Sequence, residues 1–478
     1  MTTTAAPLEP ASPAVQETIW DHQHRALSIG LILAMTITAF QGMAMSTVAP
    51  IVAEEVGARG LYGWIFSGFL LAQIVGTVLA GRELDRRSPA TVLLPALILF
   101  GMGCLVAGAA PSIHVLILGR AIQGFGAGAL SSCVYAVVAA AYVDRLRPAM
   151  LAALASAWIV PSLIGPAIAG FVAETFTWRL AFFGLIPILM FVAPLTLPTF
   201  RKIPASRPDA APDNRLLLAI ILAISTGVFL VGLELRPWWI GLGVAVLGLI
   251  GLGPTLKRLL PAGCFTLQPV MPAAIVTRGL GFGGFAVVET YLVFALKDFG
   301  GVSATQAGLV LTVTALLWST GSWMQARWDR ATEGSQRTAR MVIGFGLVLV
   351  GAVALFLCIV LRGEIWLWLS VVAWAVAGFG IGLAYPTTVT VAFAHTPEGE
   401  NGLVSSSLML ADLFAFSVGV GLGGVLLAIA ESGGWSTPAA TALAMSLGVV
   451  MVGGSMVAAW RTRAVEAPQV EVFAALGD

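Results

Sequence analysis

Fourteen stretches of this chain are apolar for about 20 residues each, long enough to cross the roughly 30 Å hydrocarbon core of a bilayer. They begin at 26–52 and end at 438–460, and Arg236-Pro237 alone separates the seventh (216–235) from the eighth (238–256). The expected fold class is therefore an all-α polytopic membrane protein. Composition agrees. The chain is 58% hydrophobic and 10% charged, where a soluble domain carries about 25% charged residues. Too little charge is present to cover a water-facing surface, so lipid must face much of it.

Basic residues orient the spans, because loops on the cytoplasmic side collect them. With the N-terminus inside, 18 of the 25 arginines and lysines fall on the cytoplasmic side, 5 fall outside, and Arg120 and Arg278 lie within spans. Both termini are then cytoplasmic. Removing the seventh and eighth spans would preserve this split, so charge alone fits twelve spans as well as fourteen. The stretch up to Leu27 is polar and mixed in charge, so no signal peptide is expected. Net charge is +1, which calls for no nucleic-acid or acidic partner. The four cysteines have neither disulfide nor metal spacing.

The chain repeats itself weakly. Gly124-Phe125-Gly126-Ala127-Gly128 in the fourth span matches Gly378-Phe379-Gly380-Ile381-Gly382 in the twelfth. Gly165 and Gly170 match Gly419 and Gly424 at the same offset of 254 residues. Asp85-Arg86 matches Asp329-Arg330 at an offset of 244. Spans one to six thus resemble spans nine to fourteen, and parallel repeats around a midplane site build many secondary transporters. The expected divisions are a tail (1–25), a six-helix bundle (26–200), a linker (201–215), an inserted helix pair (216–256), a connector (257–271), a second six-helix bundle (272–460) and a tail (461–478). In short, two six-helix pseudo-repeat bundles and an inserted hairpin make 14 transmembrane helices.

Charge inside a span is costly and marks function by default. Glu289 in the ninth span and Asp412 in the thirteenth must each face a partner or a wet cavity, or stay protonated. Either can carry protons or meet a cationic substrate; a structural hydrogen bond between helices is the plainer alternative. Arg278 lies eleven residues before Glu289, on the same helix face and too far away for contact. Trp238, Trp239, Trp366, Trp368 and Trp460 sit at span ends, as interfacial anchors do.

Four segments carry a resemblance to the major facilitator superfamily, and within it to the fourteen-helix drug:proton antiporters. Gly119-Arg120-Ala121-Ile122-Gln123-Gly124 is similar to the family's fourth-helix motif, which implies a part in proton coupling for Arg120. Gly81-Arg82-Glu83-Leu84-Asp85-Arg86-Arg87 resembles the loop between helices two and three. There the resemblance implies a cytoplasmic gate latch at Asp85 and Arg86, although Ser88-Pro89-Ala90 replaces the usual Gly-Arg-Lys stretch. Ser162-Leu163-Ile164-Gly165-Pro166 through Gly170 resembles the fifth-helix antiporter motif and implies a gating role for Gly165 and Pro166. Phe40-Gln41-Gly42 through Pro50 resembles the first-helix motif, where relatives tend to carry an acid at the position of Gln41. Either the proton site has moved, or a glutamate has been replaced to hold one state.

The resemblance implies a proton-coupled exporter of lipophilic or amphipathic compounds, working by alternating access in the bacterial inner (plasma) membrane. Its partners would be the lipid bilayer, protons and a small lipophilic or cationic substrate, and it would act as a monomer. Proton coupling would involve Glu289, Asp412, Arg120 and Gln41. The substrate cavity would involve Gln41, Met45, Gln123, Trp158, Trp374, Glu289 and Tyr291, an aromatic and methionine-bearing set suited to lipophilic cations. Export of a lipid or specialised metabolite, and proton-coupled uptake, are the alternatives. Enzyme chemistry is not expected: HExxH, GxSxG and P-loop patterns are all missing. No cofactor or metal is implied.

Overall fold

The computed structural model describes residues 18–22, 24–56, 61–142, 146–203, 214–235, 237–332, 334–395 and 401–465. Most of the 1–25 tail, the 201–215 linker and the 461–478 tail lies outside these residues. Among the described residues, fourteen helices are long and apolar enough to cross a membrane. They are α1 (Arg25–Glu55), α2 (Tyr62–Arg86), α3 (Pro89–Gly108), α4 (Ile113–Ala141), α5 (Arg147–Thr175), α6 (Leu180–Phe183 and Leu185–Phe200, interrupted at Gly184) and α7 (Arg215–Glu234). After these come α8 (Trp238–Leu259), α9 (Met271–Asp298), α10 (Ala304–Ala331), α11 (Arg337–Arg362), α12 (Leu367–Ala394), α13 (Asn401–Ser432) and α14 (Thr437–Trp460). An even number of spans returns the chain to the side on which it began. We call that side the near end and the opposite side the far end.

Helix ends follow local rules. Pro89, Pro272 and Pro438 occupy first-turn positions, where the missing amide costs nothing. Ser303 and Gln306 cap α10 reciprocally. Gly363 ends α11 at φ 66, a left-handed conformation that other residues resist.

Apolar surface alone does not drive helices together in lipid, so packing depends on small residues that let backbones approach. The repeated glycines show how. A Cβ added at Gly124 would sit 2.1 Å from the Phe69 carbonyl oxygen on α2, and one at Gly128 2.2 Å from that of Gln73. In the second half, a Cβ at Gly378 would sit 2.4 Å from the Thr314 carbonyl oxygen on α10, and one at Gly382 2.3 Å from that of Trp318. The two glycine motifs thus make the same contact, fourth helix against second helix, in each half. The other repeated pair joins the halves. Gly170 on α5 approaches Ala304 on α10, and Gly424 on α13 approaches Gly63 on α2. One pseudo-twofold arrangement accounts for all of these matches.

At the far end, side chains join the two halves at and beside these seams. Tyr62 donates to the Thr290 carbonyl at 3.2 Å, and Ser67 to the Ser417 carbonyl at 2.7 Å. Glu174 accepts from the Ala304 amide and, at 2.6 Å, from the Thr305 hydroxyl. Midway along α1, Gly42 is exposed, and a Cβ built there meets nothing within 4 Å.

Candidate functional site

Two polar islands lie within the membrane-spanning helices, one in each half. In the first, Arg120 projects from α4 and is 2% exposed. Its Nε donates to the Ile65 carbonyl at 3.1 Å and its Nη1 to Gln123 Oε1 at 2.7 Å. The guanidinium lies 4.2 Å from the centre of the Phe69 ring. With the Gln41 amide turned to satisfy its neighbours, its carbonyl accepts from Arg120 Nη1 at 2.8 Å and Nη2 at 3.2 Å. Gln123 also donates to the Cys104 sulfur at 3.2 Å. Among the described residues, no carboxylate forms an ion pair with this cation.

The second island has two acids in different settings. Arg278 on α9 grips Asp412 on α13, through Nε at 3.0 and 2.9 Å and through Nη2 at 2.6 Å. The Tyr385 hydroxyl on α12 accepts from Arg278 Nη2 and donates to Asp412 Oδ2 at 2.7 Å. The pair is almost dry, with the two side chains 11% and 12% exposed. Removing either partner would leave an uncompensated charge. Among the described residues, Glu289, three turns further along α9, has no cation on it. It accepts from the indole Nε1 of Trp374 at 3.0 Å and is partly exposed, although its neighbours from Gly283 to Val288 are buried.

An aromatic bridge joins these acids. Trp374 stacks on Phe285 with ring centres 4.8 Å apart and planes 15° apart. Phe285 meets Trp318 edge-on at 5.6 Å, and Trp318 meets Tyr385 at 5.7 Å. Phe282 touches Trp318, Tyr385 and Phe416. Sequence reading passed over Phe282, Phe285, Tyr385 and the grip of Arg278 on Asp412. A signal existed for part of this set. Arg278, Phe282, Phe285 and Glu289 fall at i, i+4, i+7 and i+11, one stripe of α9. Their partners on α10, α12 and α13 carry no such mark.

The other expected residues are spread along the bundle. Met45 is buried in the packed core, and Tyr291 is buried at the far seam, donating to the Val420 carbonyl at 2.7 Å. Trp158 is 40% exposed on α5. Gly165 rests against Phe40, and the Pro166 carbonyl lies where Gly308 lets α10 approach α5. The side chain of Asp85 lies outside the described residues, and Arg86 is partly buried at the end of α2. The repeat counterpart of Asp85 is Asp329, which accepts from Arg337 at 2.9 and 2.8 Å and from Arg340. Among the described residues no group of His, Cys, Asp and Glu is arranged to hold a metal.

The fold and this paired arrangement define a multi-pass membrane transporter with two repeated halves. A profile of the Major Facilitator Superfamily matches residues 30–411, and the chain belongs to that family. The probable multidrug-efflux transporter Rv1634 of Mycobacterium tuberculosis is 25% identical over 450 residues, spanning 90% of this chain and 93% of that protein. The multidrug efflux pump SdrM of Staphylococcus aureus is 31% identical over 172 residues, 36% of this chain and 38% of that one. Among solved structures, a POT family transporter in complex with 5-aminolevulinic acid superposes with a TM-score of 0.68 at 14% identity, covering 91% of this chain and 96% of that one. The xylose transporter XylE from E. coli, in a partially occluded inward open conformation, gives 0.61 at 13% identity, covering 91% and 96%.

Proposed function

We propose that this protein is a proton-coupled antiporter that exports lipophilic or amphipathic compounds across a bacterial plasma membrane, as a monomer with both termini in the cytoplasm. The observation that carries the reading is Glu289: a carboxyl within a membrane-spanning helix with a neutral donor on one side, no cation among the described residues, and partial exposure. Such a group changes charge without breaking an ion pair. Asp412 cannot, because Arg278 and Tyr385 already hold it. Glu289 is therefore the proton carrier in this reading, and Asp412 with Arg278 is a tie between α9 and α13.

The excess of basic residues at the near end reads as cytoplasmic. The sealed far end is then the outside, so the protein is closed outward. A lipophilic cation entering from the cytoplasm or the inner leaflet would rest on the bridge of Phe282, Phe285 and Trp318 and pair with ionised Glu289. Outward opening would release it, and a proton taken up from outside would reset the carboxyl. A proton entering down 100 mV releases about 2.3 kcal/mol. The kinship with efflux proteins from two bacteria supports the direction of transport.

The test is proton flux in proteoliposomes under an imposed pH gradient, with and without ethidium. Flux that depends on ethidium, and that Glu289→Gln lowers at least tenfold, is the expected result. Ethidium-dependent flux that survives Glu289→Gln overturns the assignment of the carrier. No ethidium-linked flux in the unaltered protein removes lipophilic cations as substrates.

A further inference from the structure

The inserted helices α7 and α8 face two ways. α8 presents Trp239, Leu247 and Ile250 outward, each more than half exposed, as lipid-facing residues would be. α7 buries Leu222, Thr226 and Leu230, a single face at i, i+4 and i+8. That face lies on α2 and α13, which belong to opposite halves. On the α2 side, the Trp64 indole donates to Glu234 Oε1 at 3.0 Å, and a Cβ at Gly227 would sit 3.9 Å from Trp64 Cη2. One turn further in, Leu230 covers the α13 side. A Cβ at Gly421 would sit 2.6 Å from Leu230 Cδ1 and 2.9 Å from Ser67 Oγ. Here α2 and α13 are themselves bonded, Ser67 to Ser417.

We infer that the inserted pair is a clasp over the outer seam: α7 bridges the two halves where they must part, and so favours the outward-closed shape. The inference rests on the alternating access of the proposed function, not on which group carries the proton. For the outside to open, α2 must leave α13, and α7 can follow only one of them. It follows α2, to which Trp64 and Glu234 tie it, and Leu230 leaves Gly421. The clasp therefore sets how often the transporter faces outward, without touching the central site.

Spin labels on the full chain at Pro111→Cys and Glu364→Cys, exposed outer-loop positions of opposite halves, read the opening by electron–electron resonance distances. The four native cysteines are buried and do not compete for label. Leu230→Ala is expected to raise the ratio of long to short distances about fivefold, the factor that loss of about 1 kcal/mol of packing gives, and Leu230→Val to raise it less. Trp64→Phe breaks a bond that α7 keeps in both shapes, and Leu247→Ala lies on the lipid face of α8, so each is expected to leave the ratio unchanged. An unchanged ratio in both Leu230 variants overturns the inference, and so does an equal shift in Leu247→Ala. Leu230→Val keeps a branched side chain at the seam, and it serves alone if Leu230→Ala does not fold. Ethidium transport is not part of the readout, so failure of the exporter reading leaves this result standing.

Discussion

Gln41 with Arg120 in the first half and Glu289 with Trp374 in the second are counterparts. Each joins the first helix of its half to the fourth, α1 to α4 and α9 to α12, and Trp374 occupies the repeat position of Arg120. The charges are inverted. In the first half the fourth helix brings a cation and the first helix a neutral acceptor. In the second half the first helix brings an acid and the fourth a neutral donor. Among the described residues, neither charge has an opposite charge beside it. Arginine keeps its proton under all ordinary conditions, whereas a carboxyl is titratable. The repeated contact thus has opposite electrical character in the two halves, and the carboxylate–guanidinium lock of Asp412 with Arg278 stands apart from both.

Substitutions separate the two halves experimentally. The largest effect is expected from Asp412→Asn, which leaves Arg278 buried without its counter-charge and should destabilise the protein by about 3 kcal/mol. Its thermal midpoint in detergent should fall by several degrees, and combining it with Arg278→Gln should recover part of the loss. If the single change is harmless, the second half has no lock and the contrast drawn above fails. Gln41→Glu would make the first half resemble a locked pair. A charge-assisted bond to Arg120 in place of a neutral one should stabilise by about 1.5 kcal/mol, seen as a raised midpoint at pH 8; a lowered one would mean that Arg120 has no room for a carboxylate. Trp374→Phe should have the smallest effect. It keeps the stack on Phe285 and removes one hydrogen bond to Glu289, about 1 kcal/mol. The ethidium concentration at half-maximal efflux should shift by up to about fivefold while the maximal rate holds. A collapse of the rate would instead make the indole N–H part of the proton path.

Most of the architecture was legible in the sequence, because a bilayer leaves a chain few choices. Apolar runs gave the fourteen helices, and the glycine repeats identified positions where backbones nearly touch. The weak match between Gly124 and Gly378 reflects one geometric demand met twice, so its physical cause lies in the packing of the second and fourth helices. The candidate site was only half legible. Arg120, Glu289 and Asp412 were conspicuous as charges in lipid. The pairing was not, since Arg278, itself a charge in a span, and Asp412 are 134 residues apart, and Tyr385 looks like an ordinary span residue. Sequence spacing reports which residues share a face of one helix. It is silent on which faces of different helices meet, and that pairing made one acid a tie and left the other free.

The seams at the far end, where Gly170 meets Ala304 and Gly63 meets Gly424, are made largely of bare backbone with a few hydroxyl and carboxylate bonds beside them. Surfaces of that kind do not interlock. They behave like the flat lip of a valve, which lifts off its seat without any part having to be threaded past another. Little needs to rearrange before the halves part, and the same faces can meet again in register on every turnover.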